Sequence, residues 1–187
     1  MKNKILFLSI ISCFILSGFT NNTSQNLVAT NTWFIAGPVN ESQETINSIR
    51  QEEGIIRVTA NDNPKGEIEL NVMITPSDTN DGPPTDLPAA SDFVLLTYKS
   101  SHEIKLQARE GNEEGNGCVH GGSHPRVDLQ ASPDKFRTIK LHWTDFKQDG
   151  LPNGKLLNKH NLCKFNFVNY HPVPGALLEI KSVIIQN

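Results

Sequence analysis

The sequence lacks the short motifs that mark several large enzyme classes. It has no Gly-x-Ser-x-Gly elbow, no His-Glu-x-x-His pair and no phosphate-cradling glycine loop. Basic charge is also scarce, because the net charge is −3 and Lys and Arg form no cluster. A nucleic-acid partner needs a positively charged surface, so the composition argues against such a partner.

Long hydrophobic runs are absent after the N-terminus. The first 20 residues combine Lys2 and Lys4 with an apolar run from Ile5 to Phe19, which is short for a bilayer span and suits a signal peptide. Gly18 and Thr20 offer small residues for cleavage. We therefore expect a signal peptide over residues 1–20, a secreted or periplasmic product and no membrane partner after cleavage. An uncleaved anchor is the alternative.

Cysteine is rare, and its number constrains the exported chain. Cys13 lies inside the apolar run, which leaves Cys118 and Cys163 about 45 residues apart. An even number of cysteines in an oxidising compartment favours one disulfide. Its closure would contribute roughly 3 to 4 kcal/mol in the chain-entropy model. Two free thiols are the alternative.

Cys118 also lies in a glycine-rich segment with potential metal ligands. Cys118, His120 and His124 have a spacing that suits zinc or copper, and Glu113 and Glu114 are near. The sequence fixes no fourth ligand, and a bridged Cys118 cannot bind a metal. We therefore expect a tip loop without a metal.

The sequence is rich in apolar and polar residues that alternate with period two, which is typical of half-buried β-strands. With 187 residues, 37% hydrophobic, the chain can support one domain with a core. Because no βαβ rhythm is visible, we expect an all-β sandwich. The residues expected to face its core are Ile56, Val58, Ile68, Leu70, Val72, Ile74, Ile104, Leu106, Ala108, Val127, Leu129, Ile139, Leu141, Trp143, Phe165, Phe167, Leu178 and Ile180.

Individual segments of the chain carry further predictions. Residues 21–31 are polar and predict a disordered lead-in, so the sandwich is expected over residues 32–187. The NDNPKG sequence predicts a hairpin turn, and Glu41 to Glu53 is the one segment that suits a helix. Phe93 to Ser100 is apolar on both faces and predicts a central strand.

The C-terminal half resembles a known group of proteins. One strand ends in an aromatic residue and is followed by Asp-Phe (WTDF, Trp143 to Phe146). A later strand contains FNF (Phe165 to Phe167), and the last strand reads LEIKSVII (Leu178 to Ile185). From about Phe93 onward this sequence pattern resembles that of carbohydrate-binding modules with the galactose-binding-like jelly roll. It is also similar to the complex I intermediate-associated proteins. The resemblance implies a jelly roll that binds a glycan.

The resemblance also bears on calcium. Jelly-roll binding modules often carry a structural calcium, with an acidic pair after the isoleucine of the last strand. This chain has Lys181 and Ser182 there, so we expect no cofactor. The long loop from Pro76 to Asp92 carries aspartates at 78, 81, 86 and 92, but without the fixed spacing of a calcium loop. A solvated loop is the favoured interpretation.

The candidate binding residues are polar and aromatic side chains expected on one outer sheet face. Sugars need paired donors and acceptors for their hydroxyls and aromatic rings for their apolar faces. We predict that these side chains form one groove that binds a neutral or weakly acidic polysaccharide without cutting it. The alternative is a solvated face with weak ion pairs. The set is Tyr98, Gln107, Arg109, Arg126, Asp128, His142 and Tyr170.

Two further functions remain open at this point. In a jelly-roll polysaccharide lyase, Tyr and His act as acid and base beside an Arg that neutralises the sugar carboxylate. Tyr98, His142, Tyr170, Arg109 and Arg126 supply those residue types, and paired carboxylates for glycoside hydrolysis are another enzymatic possibility. The complex I resemblance implies a structural or assembly role instead. We expect no catalysis.

Overall fold

The computed structural model describes residues 24–35, 42–62, 65–171 and 174–186. The predicted signal peptide at 1–20 lies outside the described residues. Within those ranges, no helix is long and apolar enough to cross a membrane. The described α-helices and β-strands are β1 (Ser24–Asn26), α1 (Leu27–Thr30), β2 (Trp33–Phe34), α2 (Gln43–Ser48), β3 (Ile56–Thr59), β4 (Ile68–Met73), β5 (Phe93–Ser100), β6 (Ile104–Glu110), β7 (Pro125–Leu129), β8 (Ser132–His142), β9 (Lys147–Gln148), β10 (Leu162–Asn169) and β11 (Leu177–Gln186).

These strands form two antiparallel sheets. Sheet I has the order β3–β11–β5–β8, with β1 pairing the C-terminal end of β11. Sheet II has the order β2–β4–β10–β6–β7–β9. Strands that are consecutive in the chain mostly lie in different sheets, and this alternation is typical of a jelly roll. The predicted all-β sandwich is therefore confirmed as a jelly roll.

The local pairing expected from the sequence at NDNPKG is wrong. The NDNPKG segment does not close a hairpin, because β3 pairs with β11 in sheet I and β4 pairs with β10 in sheet II. The turn between β5 and β6 also carries the chain from one sheet to the other. Period-two alternation shows which side chains face the core, but it does not show which strand lies alongside.

The core lies between the inner faces of the two sheets, as the alternation predicts. The expected aliphatic residues of β3, β4, β6 and β11 are buried there, and Val127 and Ile139 pack against them partly buried. Aromatic rings fill its centre: Trp33 lies 5.9 Å from Phe167, and Trp143 lies 6.3 Å from Phe165, measured between ring centroids. These contacts fix the direction in which the intervening polar side chains of β10 and β6 point.

Strand β5 is buried on one face only, which corrects the prediction of a two-sided central strand. Val94, Leu96 and Tyr98 face the core, while Leu95 and Thr97 are half-buried on the outer face of sheet I. Phe93 and Leu95 make the outer face of β5 apolar in sequence, but their side chains are only half-buried.

The end of the predicted disordered lead-in is ordered. Ser24–Asn26 pair with β11, and Leu27 is fully buried in the core. The Asn31 amide donates to the Met73 carbonyl at 2.7 Å, and the Trp33 indole donates to the Leu27 carbonyl at 3.0 Å. Buried polar groups that are paired in this way hold a segment in place even when its composition is polar. The domain therefore begins before residue 32.

The predicted disulfide is present. Cys118, in the loop between β6 and β7, bonds Cys163 of β10 with an S–S distance of 2.04 Å. Both sulfur atoms are buried against Met73. The bridge ties the glycine-rich loop to the first residues of β10, an interior strand of sheet II.

Candidate functional site

The outer surface of sheet II carries the candidate site, and we call it the polar face. Its side chains alternate with core residues on β4, β10, β6 and β7, so they point away from the core. Cross-strand pairing aligns one row across all four strands. That row is Asn71, Asn166, Gln107 and Arg126.

Flanking rows continue the same pattern. On one side Met73 lies opposite Lys164, which lies opposite Arg109. On the other side Val168 separates Glu69 from Lys105, and Lys105 faces Asp128. The polar face therefore holds amides, cations and carboxylates in a fixed register set by the ladder.

Tyr170 follows β10 and reaches back over the polar face. Burial raises the pKa of the Tyr170 phenol, and a hydrogen bond with Arg109 lowers it by a smaller amount, so the pKa is raised overall. Tyr170 is nevertheless 43% exposed, which makes it the most accessible aromatic ring on this side of sheet II among the described residues. It borders a hollow of about 170 Å³ that Lys105 and Val168 also line.

The two arginines of the polar face have different partners. Arg126 lies 3.4 Å from an Asp128 oxygen and 3.9 Å from an Asp149 oxygen. Arg109 donates instead to neutral acceptors, the His120 carbonyl at 3.0 Å and Gln107 Oε1 at 3.3 Å. Arg126 is therefore compensated by charge, and Arg109 is compensated by dipoles alone.

Asn166, at the centre of the row, has an unused hydrogen-bonding group. Its side chain is fully buried, and neither Oδ1 nor Nδ2 has a hydrogen-bond partner in the part of the chain that the structure describes. The Nε atom of Arg109 is in the same condition. Buried polar groups are nearly always paired, so the atoms of Asn166 and Arg109 Nε are exceptions within the described residues.

Burial and mutual repulsion shift the pKa values of the cationic groups at one end of the polar face. Burial first, and the Arg109 charge second, lower the pKa of Lys164 to about 8. The same two causes lower the pKa of His124 to about 4. His124 is therefore neutral at neutral pH, and Lys164 is a cation in an unfavourable position.

Two loops border this end of the polar face. The Lys164 ammonium donates to the backbone and side-chain oxygens of Asn80, at 3.0 and 3.2 Å. The Asp81 carboxylate accepts from the Cys118 amide at 2.8 Å and lies 3.1 Å from His120 Nε2. The Asp81 carboxylate therefore links the long loop between β4 and β5 to the disulfide-bonded loop.

Two of the possible ligands of the glycine-rich loop, Cys118 and His120, have other partners. Cys118 is in the disulfide, and His120 contacts Asp81 rather than a shared centre with His124. The grouping of Asp81 with Cys118 and Cys163 offers no thiolate, since both sulfur atoms are bonded to each other. The described geometry gives this loop a structural role.

Two of the predicted site residues lie away from the polar face. Tyr98 is fully buried between the sheets, and its hydroxyl donates to the Gln130 carbonyl at 2.7 Å. His142 is exposed at the end of β8 in sheet I, edge-on to Phe93 with 6.0 Å between ring centroids. Both predictions of position are wrong, because the strands that carry them pair in sheet I.

Five predicted residues do come together. Gln107, Arg109, Arg126 and Asp128 share the polar face, and Tyr170 joins them beside Arg109. Their part in ligand binding stays a prediction.

The sequence reasoning missed Asn71, Lys164 and Asn166, all of which lie on the polar face. The signal for Lys164 and Asn166 was available in KFNFV, where these two residues alternate with buried phenylalanines. Once Phe165 and Phe167 are placed inward, the side chains between them must point outward.

The outer face of sheet I gives a contrast within the same molecule. There Glu179 is bound by Arg57 and lies 3.2 Å from Lys99, and Thr97 hydrogen-bonds Thr138 at 2.9 Å. Burial pushes the pKa of Glu179 upward, but the hydrogen bonds from Arg57 and Lys99 outweigh it and the pKa is lowered. The Glu179 carboxylate on this face is therefore compensated by two cations of the same chain.

Comparison with known proteins finds a likeness in structure alone. No family model matches the sequence, and no curated protein matches it. The fold is similar to solved carbohydrate-binding modules.

Three of those structures illustrate the likeness. A family 11 module from a cellulosomal cellulase of Clostridium thermocellum shares 16% identity over 65% of this chain and 68% of that one, with a TM-score of 0.47. A structure of the family 11 module in complex with a mixed-linked β-1,3-1,4 tetrasaccharide has 13% identity over 64% and 67% of the two chains, with a TM-score of 0.46. A family 29 module from Piromyces equi has 11% identity over 89% and 91%, with a TM-score of 0.47. At such identities and TM-scores the likeness concerns the fold alone.

Proposed function

We propose that the protein binds a polysaccharide on the polar face and does not cut it. The observation that carries the proposal is the row Asn71, Asn166, Gln107 and Arg126, with both amide atoms of Asn166 unpartnered. Sugar hydroxyls are donors and acceptors at once, and a side-chain amide pairs with them through both of its polar atoms. A row of such groups along a sheet suits a chain of repeating rings.

Tyr170 supports the same proposal. An exposed aromatic ring beside a row of hydrogen-bonding groups offers the apolar surface on which a sugar ring stacks. The hollow next to it, bordered by Glu103 and His171 as well as Lys105, gives a further ring room beside the row. Stacking would set the position of the ligand, and the polar row would select its hydroxyls.

The geometry favours binding over elimination. A lyase needs an acid and a base beside the arginine that neutralises the sugar carboxylate, but Tyr98 and His142 are both remote from Arg109. Tyr170 is close to Arg109, yet burial raises its phenol pKa. A base works best with a pKa near the operating pH, so this shift makes Tyr170 a weaker candidate for proton abstraction.

The compartment is part of the proposal. A disulfide persists in an oxidising environment, and Cys118–Cys163 is buried in the fold. We infer that the protein works outside the cytosol, where polysaccharides occur.

A depletion assay tests the proposal. Purified protein is incubated with a panel of insoluble polysaccharides, and the protein left in the supernatant is measured. The same mixtures are assayed for new reducing ends and for unsaturated sugar products. Depletion by at least one polysaccharide without new products supports the proposal. Depletion by none, or product formation by the wild type, overturns it.

A further inference from the structure

Two buried cations face each other on the polar face. Lys164 of β10 pairs directly with Arg109 of β6, and their exposed fractions are 1% and 7%. Like charges directly opposite each other on neighbouring strands are destabilising. Removing a cation from water also costs free energy unless a partner compensates it.

The described chain supplies no carboxylate to either cation within 4.0 Å, whereas Arg126 has two such oxygens. Both Lys164 and Arg109 bond to neutral oxygens only. Asp81 and Glu69 lie close enough to raise the pKa of Lys164, but burial and Arg109 outweigh them. The Asp81 carboxylate is already held by backbone amides of the loops.

A third group at this place lacks a partner. Asn166 lies two residues from Lys164 on the same strand, on the same face, and its amide is buried and unpartnered among the described residues. Arg109 Nε is also buried without an acceptor there. Unused hydrogen-bonding atoms therefore adjoin two cations whose hydrogen-bond acceptors are neutral oxygens.

We propose that the polar face recognises an acidic glycan, with one carboxylate or sulfate group near Arg109 and Lys164 and a neighbouring hydroxyl on Asn166. This inference rests on the proposed function and specifies its ligand. The planar guanidinium of Arg109 suits the two oxygens of such a group, and an ammonium adds a point charge beside it. A neutral sugar would leave both cations without an anionic partner.

The overall charge of the protein strengthens the argument. With a net charge of −3 the molecule does not attract polyanions as a whole. Retention of an acidic glycan would therefore depend on a local site rather than on general electrostatic attraction.

The test compares polysaccharides that differ in charge alone. Polygalacturonate is compared with its methyl ester, and a sulfated galactan with its desulfated form, by affinity electrophoresis of the wild-type protein at fixed salt. We expect at least tenfold tighter binding to one acidic form than to its neutral counterpart. The pair that responds distinguishes a carboxylate from a sulfate.

Two variants connect this preference to the site. Lys164→Met keeps the length of the side chain and removes the charge, and Arg109→Gln keeps hydrogen-bonding capacity. Arg57→Gln, on the outer face of sheet I, changes the net charge equally and is the matched control. The acidic preference should fall to less than threefold in the first two variants and stay intact in the control.

The outcomes separate this inference from the proposed function. If the protein binds neutral members as tightly as acidic ones, the inference is overturned and polysaccharide binding stands. If it binds no polysaccharide in this or the depletion panel, both fail. If either variant does not fold, the comparison of matched polysaccharides on the wild type decides alone, because a wild-type ratio near one overturns the inference.

Discussion

Asn166 shows how one residue can separate binding from stability. Its buried amide has no partner in the described chain, so it contributes no hydrogen bond to the folded state. Leaving a buried polar group unpaired costs about 1 to 3 kcal/mol. The side chain is therefore a liability for folding unless a ligand uses it.

Replacing Asn166 by alanine should weaken glycan retention about tenfold, which corresponds to about 1.4 kcal/mol, while the melting temperature stays equal or rises. Retention is measured by depletion and melting by calorimetry. Asn31→Ala is the matched control, because the Asn31 amide donates to the carbonyls of Met73 and Ile74 and its loss should lower the melting temperature without loss of retention. A large destabilisation by Asn166→Ala would contradict this assignment.

His124 makes stability depend on pH. Its pKa is about 4 in the folded protein, held down by burial and by Arg109, with a smaller contribution from Lys164; the His120 carbonyl and Asp149 act in the opposite direction. The unfolded value is about 6.5, so the unfolded state binds more protons between these two values. Stability from neutral His124 is therefore complete above about pH 6.5 and is lost as pH falls toward 4.

The expected loss between pH 7 and pH 5 is about 1 to 3 kcal/mol in the free energy of unfolding. Urea unfolding at both pH values measures it, and His124→Gln should remove most of the difference. An equal difference in the variant would assign the pH dependence to other groups.

The elements of the fold show what the sequence alone can and cannot predict. Inward-facing residues of β4, β6, β10 and β11 were predictable, because each strand alternates and one of its faces is buried. Strand partners were not, since β3 and β4 are consecutive in the chain and lie in different sheets. Tyr98 and His142 were assigned to the wrong surface for this reason.

Phe167 tests the register of β10. Its ring is fully buried 5.9 Å from Trp33, so Phe167→Ala should lower the free energy of unfolding by roughly 3 to 5 kcal/mol. Phe93→Ala, on the half-buried outer face of sheet I, should cost about 1 kcal/mol or less. Chemical denaturation measures both, and equal losses would contradict the inward direction of Phe167.

The disulfide links the glycine-rich loop to β10. Reduction should lower the melting temperature by several degrees, because the bridge closes a loop with a sequence separation of 45 residues and contributes roughly 3 to 4 kcal/mol in the chain-entropy model. The exported protein should show no free thiol by non-reducing mass spectrometry. Two titratable thiols in oxidising buffer would contradict the bridge.

At the scale of the whole molecule, the two outer sheet faces differ in how their polar side chains are paired. On sheet I, Arg57 and Lys99 compensate the Glu179 carboxylate. On sheet II, the Asn166 amide has no hydrogen-bond partner in the described chain, and Arg109 and Lys164 bond to neutral oxygens. A sequence pattern cannot reveal this difference, because both faces show the same alternation. Only the pairing of strands decides which polar side chains meet.

The central claim is that a polysaccharide binds to the polar face. Depletion isotherms on the best-retained polysaccharide should be recorded for the wild type, Tyr170→Ala and Phe93→Ala, each of which removes one aromatic ring from one outer face. Loss of a stacking ring from a binding site costs about 1 to 3 kcal/mol. We predict that Tyr170→Ala weakens retention at least tenfold with little change in melting, while Phe93→Ala binds as the wild type does. Wild-type retention by Tyr170→Ala, or an equal loss in Phe93→Ala, would contradict the claim.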